Sequence, residues 1–121
     1  MKETKTSIRR SVVISASGSI STVLDKSHYS YMAIFLPSTW TTAAITFLAC
    51  DTIDGTYNQV VHSTDVSEVN IPTVVASKVI VLDTEFLEAL IALPYIKLRS
   101  GTLAVSVNQS TEVNIKIILR R

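Results

Sequence analysis

Glycine, proline, cysteine and histidine are scarce in this chain, and each scarcity excludes something. Its 121 residues include three glycines, three prolines, one cysteine and two histidines. A single thiol makes no internal disulfide, so the domain depends on its core alone, which suits folding in a reducing compartment. Cys50, set in an apolar segment, reads as a small core hydrophobe. His28, Cys50 and His62 stand far apart and outside any paired motif, so neither a metal nor another cofactor is expected. Charge is thin as well. Charged residues make up 17% of the chain, against roughly 25% in an ordinary soluble domain. The net charge of +1 leaves no global field to draw nucleic acid or an acidic membrane. No run approaches the roughly 20 apolar residues of a membrane helix. The basic start is followed by an apolar stretch only from Val12 to Ile14, too short for the apolar region of a secretion signal, about 7–15 residues. The expectation is a soluble protein that is not exported by that route.

Catalytic patterns are missing too. No Gly-x-Ser-x-Gly elbow or glycine-rich phosphate loop occurs, and no histidine neighbours Cys50. Asp83, Glu85 and Glu88 cluster at an expected helix start, where acids offset the helix dipole. Asp51-Thr52-Ile53-Asp54-Gly55 looks like the opening of a calcium loop but lacks the alternating ligands and later glutamate, so it reads as a plain turn. An enzyme is not expected.

What the chain does have is apolar residues, 47% of the total, and a mean hydropathy of +0.36. The length suits one domain with one core. That much apolar content without a spanning segment implies a surface buried against another protein.

The pattern predicts an all-β, single-domain β-sandwich of jelly-roll-like type over residues 11–121, preceded by a charged, flexible or partner-ordered arm at 1–10. Strands are expected near 11–16, 29–36, 43–50, 56–62, 66–71, 78–82, 95–99, 103–107 and 112–119. Residues 19–28 read as a polar connection anchored by Val23 and Leu24. Pro72 is expected to stop a strand. Residues 84–92 carry helical spacing in Phe86, Leu87, Leu90 and Ile91, a short helix over one end of the sandwich. In the last strand Val113, Ile115, Ile117 and Leu119 share one face.

Candidate contacts follow from this layout. Residues 29–36 are apolar on both faces, as in a central strand or one that meets a partner, which makes Tyr31 and Met32 candidates for self-association. Arg9 and Arg10 in the arm are candidates for clamping a neighbour. Tyr95, Lys97 and Arg99 fall on the outward side of their strand, where they could pair with acids of a partner or, as a lesser reading, stack nucleic-acid bases. Trp40 and Tyr57 near loops are the candidates for a sugar platform, although Trp40 reads more naturally as a plug over the sandwich end.

The order Pro37-x-x-Trp40, Ala44-Ile45-Thr46-Phe47, Asp54-Gly55-Thr56-Tyr57, Tyr95-Ile96-Lys97-Leu98-Arg99-Ser100-Gly101-Thr102 and Val107-Asn108-Gln109 resembles a family of small β-sandwich proteins of tailed-bacteriophage virions. The similarity spans about residues 30–119, and the stretches 97–102 and 107–109 are its most specific parts. The chain departs from the pattern at Leu48-Ala49-Cys50, which is apolar where the pattern is polar. The resemblance implies a head decoration (cement) protein: a homo-oligomer bound to the major capsid protein on the capsid exterior, assembled in the host cytoplasm. It also leaves open a neck or tail adaptor, and a carbohydrate-binding module that aids host attachment is the alternative of another class.

Overall fold

The computed structural model describes residues 7–121. Nine strands and one short helix follow in order: β1 (Ser7–Ile14), β2 (Leu24–Asp25), β3 (Tyr31–Phe35), β4 (Ala43–Cys50), β5 (Asn58–Gln59), β6 (Asn70–Val74), β7 (Val79–Val81), α1 (Thr84–Leu90), β8 (Tyr95–Ser100) and β9 (Val113–Arg120). They form two antiparallel sheets. One has the order β1-β9-β3-β7; the other runs β2-β8-β4-β5, with β6 also paired to β4. The first four strands alternate between the sheets. The last three then return and insert beside them: β9 between β1 and β3, β8 between β2 and β4, β7 outside β3. This is the double Greek-key wrap of a jelly roll, and the all-β expectation holds.

Alternation builds the core. Val113, Ile115, Ile117 and Leu119 of β9 point inward and are fully buried, with Val12 and Ile14 of β1 and Met32 and Ile34 of β3 beside them. The facing sheet supplies Ile45, Phe47, Ile96 and Leu98. Each such side chain contributes about 1.5–3 kcal/mol by leaving water. Trp40 plugs one end, 4% exposed, its indole Nε1–H donating to the Val74 carbonyl at 2.9 Å.

The sequence expectations need several corrections. Strand β1 begins at Ser7, inside the expected arm, because Ser7 to Arg10 continue the ladder with Ile117 to Arg120; residues 1–6 lie outside the described residues. Pro72 sits inside β6 rather than ending it. This strand lies at the sheet margin and its register against β4 is irregular, so a missing N–H is tolerated. The segment 103–107 forms no strand. It loops out from the isolated Gly101–Ser106 bridge and exposes Leu103 and Val105.

The polar connection 19–28 contains β2, with Leu24 buried as expected. It also contains Lys26, whose buried ammonium donates to the carbonyls of Leu90 (2.8 Å) and Leu93 (3.2 Å). The Leu90 carbonyl ends α1 and also accepts the Leu93 N–H at 3.0 Å, so Lys26 adds a cation at the C-terminal end of a helix whose own last turn has no basic residue.

Candidate interaction surface

The outward side of the β1-β9-β3-β7 sheet is the surface that the core argument does not explain. The strand registers place its residues in rows: Ser7, Arg120 and Tyr31; then Arg9, Ile118, Ala33 and Val81; then Ser11, Lys116, Phe35 and Val79. Tyr31 is 56% exposed, Val79 55% and Val81 74%, with Phe35 also exposed. Arg9, Lys116 and Arg120 are the charged members of these rows, and no acid occurs among them. Arg9, Ser11, Phe35, Lys116 and Ile118 line an open groove of about 780 Å³. At the other end Tyr31 adjoins Leu87 and Ile91, which carry the apolar surface onto the helical segment, where Glu88 lies beside them. A cross-strand apolar patch of this kind, edged by charged side chains, is what a protein-binding surface looks like.

The opposite sheet closes its own outward side. Arg99 stands outward of β8 as expected, yet it is 4% exposed. Glu68, from the hairpin that leads into β6, folds over it and forms an ion pair with its guanidinium. Arg99 Nε also donates to Thr46 Oγ1 at 3.0 Å, and that hydroxyl donates to the Gly101 carbonyl at 2.8 Å. The second Glu68 oxygen accepts the Leu103 N–H at 3.1 Å. Arg99 is therefore neutralised inside the protein and is corrected from contact residue to structural lock. Lys97 sits with its ammonium 4.5 Å from the centre of the Tyr57 ring, a cation–π contact. Tyr95 remains half-exposed beside them, so the expected trio does not form one open face.

The other expected site residues divide in the same way. Tyr31 is on the outward patch, but Met32, its neighbour, is 4% exposed in the core and is corrected to a packing residue. Arg9 lies on the patch, and Arg10 is exposed on the other side of β1 at the groove's rim. Trp40 is a buried plug with no ring face to offer, and Tyr57 has one ring face engaged by Lys97. Phe35, Val79, Val81 and Ile118 were missed. Their signal was the apolar outward position in strands already apolar inward, in Val79 and Val81 especially.

The stretches that carry the phage resemblance turn out to be structural joints. Gln109, fully buried, donates from Nε2 to Ser100 Oγ (2.7 Å) and the Thr41 carbonyl (3.2 Å), and its Oε1 accepts the Thr41 N–H at 2.7 Å. Gly101 has φ +95°, and a Cβ there would lie 2.5 Å from the Val105 carbonyl oxygen, so this turn admits only glycine. Among the described residues no group of three or more His, Cys, Asp or Glu side chains is placed to hold a metal ion, and no helix is long and apolar enough to cross a membrane.

The fold recurs in a solved structure. The chain is similar to the SPBc2 prophage-derived protein YomS at a TM-score of 0.56 and 14% identity, over 100% of both chains. This chain shares its fold with a prophage-derived protein. A weaker likeness, TM-score 0.42 and 11% identity over 97% of this chain and 86% of the other, is to the Yersinia pseudotuberculosis-derived mitogen YPM, and nothing is carried over from it. No family model matches the sequence. No curated protein matches it either. The resemblance to the virion family therefore stands on the residues quoted for it.

Proposed function

We propose that this chain is a structural protein of a tailed-phage virion that binds the major capsid protein and stabilises the capsid lattice as a decoration protein. The observation that carries the reading is the bare outward patch of Tyr31, Phe35, Val79, Val81 and Ile118, bordered by Arg9, Lys116 and Arg120. Such a surface offers binding area rather than chemistry, and binding area is what a lattice-bridging protein needs. At about 25 cal/mol per Å² of apolar surface removed from water, a few hundred Å² supplies several kcal/mol before association costs. Repetition over a lattice multiplies contacts that are weak singly. Arg9, Lys116 and Arg120, with no acid in the strand rows they share, direct the sheet part of the patch toward an acidic partner surface. The prophage origin of YomS, a protein of the same fold, agrees with this reading, as do the residues that resemble the virion family.

The test is binding of the purified protein to particles that lack it. Wild type is expected to bind saturably at a fixed ratio to the capsid protein. Val79→Asp and Val81→Asp, both exposed positions that leave the core intact, are expected to weaken binding by tenfold or more, about the loss of one central apolar anchor. Undiminished binding by both variants would remove the patch from the account.

A further inference from the structure

The groove on the patch has a complement on the same molecule. Ile53 is an exposed apolar side chain with acids on both sides, Asp51 and Asp54, all three in the loop that follows β4; exposed Val66 is flanked likewise by Asp65 and Glu68, but Glu68 is already paired with Arg99. Ile53 is 50% exposed at the tip. The loop is held in shape: Tyr57 Oη donates to the Ile53 carbonyl at 2.8 Å, and the Gly55 N–H reaches the Thr52 carbonyl at 3.4 Å. Gly55 packs closely against this loop: a Cβ would lie 2.3 Å from Cys50 Sγ and 2.6 Å from Thr52 Oγ1, so both side chains would have to turn aside. Lys97 against the Tyr57 ring braces the phenol that holds the loop. A preformed loop loses little conformational entropy when it docks.

We infer that the acidic loop Asp51 to Asp54 of one copy docks in the basic, apolar groove of a second copy, with Ile53 against Phe35 and Ile118 and the two carboxylates toward Arg9 and Lys116. The dimensions agree. Arg9 and Lys116 sit on adjacent strands, two positions apart in register, which puts their Cα atoms about 8 Å from each other at ordinary sheet spacings. Asp51 and Asp54 are three residues apart, so their Cα atoms lie no more than about 11 Å from each other, and the turn closed between Thr52 and Gly55 keeps the loop within that reach. The signs also agree, since the groove rows contain no acid and the loop contains no base.

The groove is on the outward side of one sheet and the loop leaves the end of the other, so the contact joins separate copies. It uses different surfaces on its two sides, so it closes into a ring or continues as a lattice. The inference rests on the assembly reading and specifies which surface the copies use on each other. The Val79 and Val81 end of the patch remains for the capsid.

The test is sedimentation velocity of the full chain over a concentration series up to about 1 mM, the range in which a single small contact is visible. Wild type is expected to associate, more weakly as salt rises. Ile53→Ser is expected to weaken association about tenfold or more. The doubly substituted proteins Arg9→Glu/Lys116→Glu and Asp51→Lys/Asp54→Lys are each expected to stay monomeric, and to associate when mixed, because the reversed groove then meets a reversed loop. All substituted positions are exposed, and an unchanged circular dichroism spectrum verifies the fold. Monomeric wild type at every concentration, or a charge-reversed pair that fails to associate on mixing, would overturn the inference. Binding to particles by a monomeric wild type would give the groove to the capsid and leave the assembly reading standing.

Discussion

Replacing Glu68 with alanine removes the partner of a guanidinium that water barely reaches. The Arg99 side chain is 5% exposed and that of Glu68 15%. After the substitution Arg99 retains the Thr46 hydroxyl alone, and the Leu103 N–H loses its acceptor. Removing one side of a buried pair costs about 3–5 kcal/mol, because a charge is left without compensation. Glu68 lies nearer to solvent than Arg99, and water entering its place screens the orphan, so the low end applies, about 3 kcal/mol. For a domain of this size that corresponds to a fall in melting temperature on the order of 10 °C. Arg99→Met is milder, about 1–2 kcal/mol, since the carboxylate left behind is the better solvated partner. Once Arg99 is methionine, removing Glu68 adds little. The cycle of both single variants and the double variant, measured by urea unfolding with Trp40 fluorescence, should therefore give a coupling of about 3 kcal/mol. Additive single effects, or a Glu68→Ala cost within about 0.5 kcal/mol, a typical surface value, would refute this account of the joint.

Other outcomes follow from the same geometry. Gln109→Ala leaves Ser100 Oγ and both Thr41 backbone groups without their partner in a buried site, and unfolding should show a loss of about 2–4 kcal/mol at roughly 1–3 per unsatisfied group after partial relaxation. Asp25 accepts the Ser27 hydroxyl and the Ser27 N–H, and the hydroxyl bond chiefly holds its pKa below the ordinary 3.8. The unfolded chain therefore takes up this proton first, so the contribution is complete above 3.8 and disappears as pH falls through the lower folded value. The stability difference between wild type and Asp25→Asn should shrink on acidification below about pH 4, and a constant difference would contradict the assignment. Gly101→Ala should destabilise by more than about 1 kcal/mol, outweighing the entropic gain that alanine brings at compatible positions, since both the positive φ and the Val105 carbonyl oppose a Cβ; calorimetry decides it.

The sequence was most legible where a period of two ran uninterrupted. Val113, Ile115, Ile117 and Leu119 read as one inward face, and β4 was expected over the residues it occupies, because its turn at Asp54-Gly55 is unambiguous. Leu103 and Val105 show the limit of that signal. They alternate as strand residues do, but alternation records no partner, and here the chain loops out. Arg99 fails for a related reason. Its outward direction was correct, yet the segment that covers it arrives from Glu68, thirty-one residues earlier, and nothing local announces that contact. Lys26 reaches the end of α1 across an even longer separation. The candidate surface was half visible in the apolar outward positions of residues 29–36. Its other half, Val79, Val81 and Ile118, joins it only through the sheet order.

Copy number tests the central claim directly: quantitative mass spectrometry of purified virions, with this chain counted against the major capsid protein. The decoration reading predicts hundreds of copies in a fixed ratio to the capsid protein, as lattice symmetry requires. A count of about a dozen or fewer, the symmetry of a single vertex or tail, would contradict it and move the protein to the neck or tail.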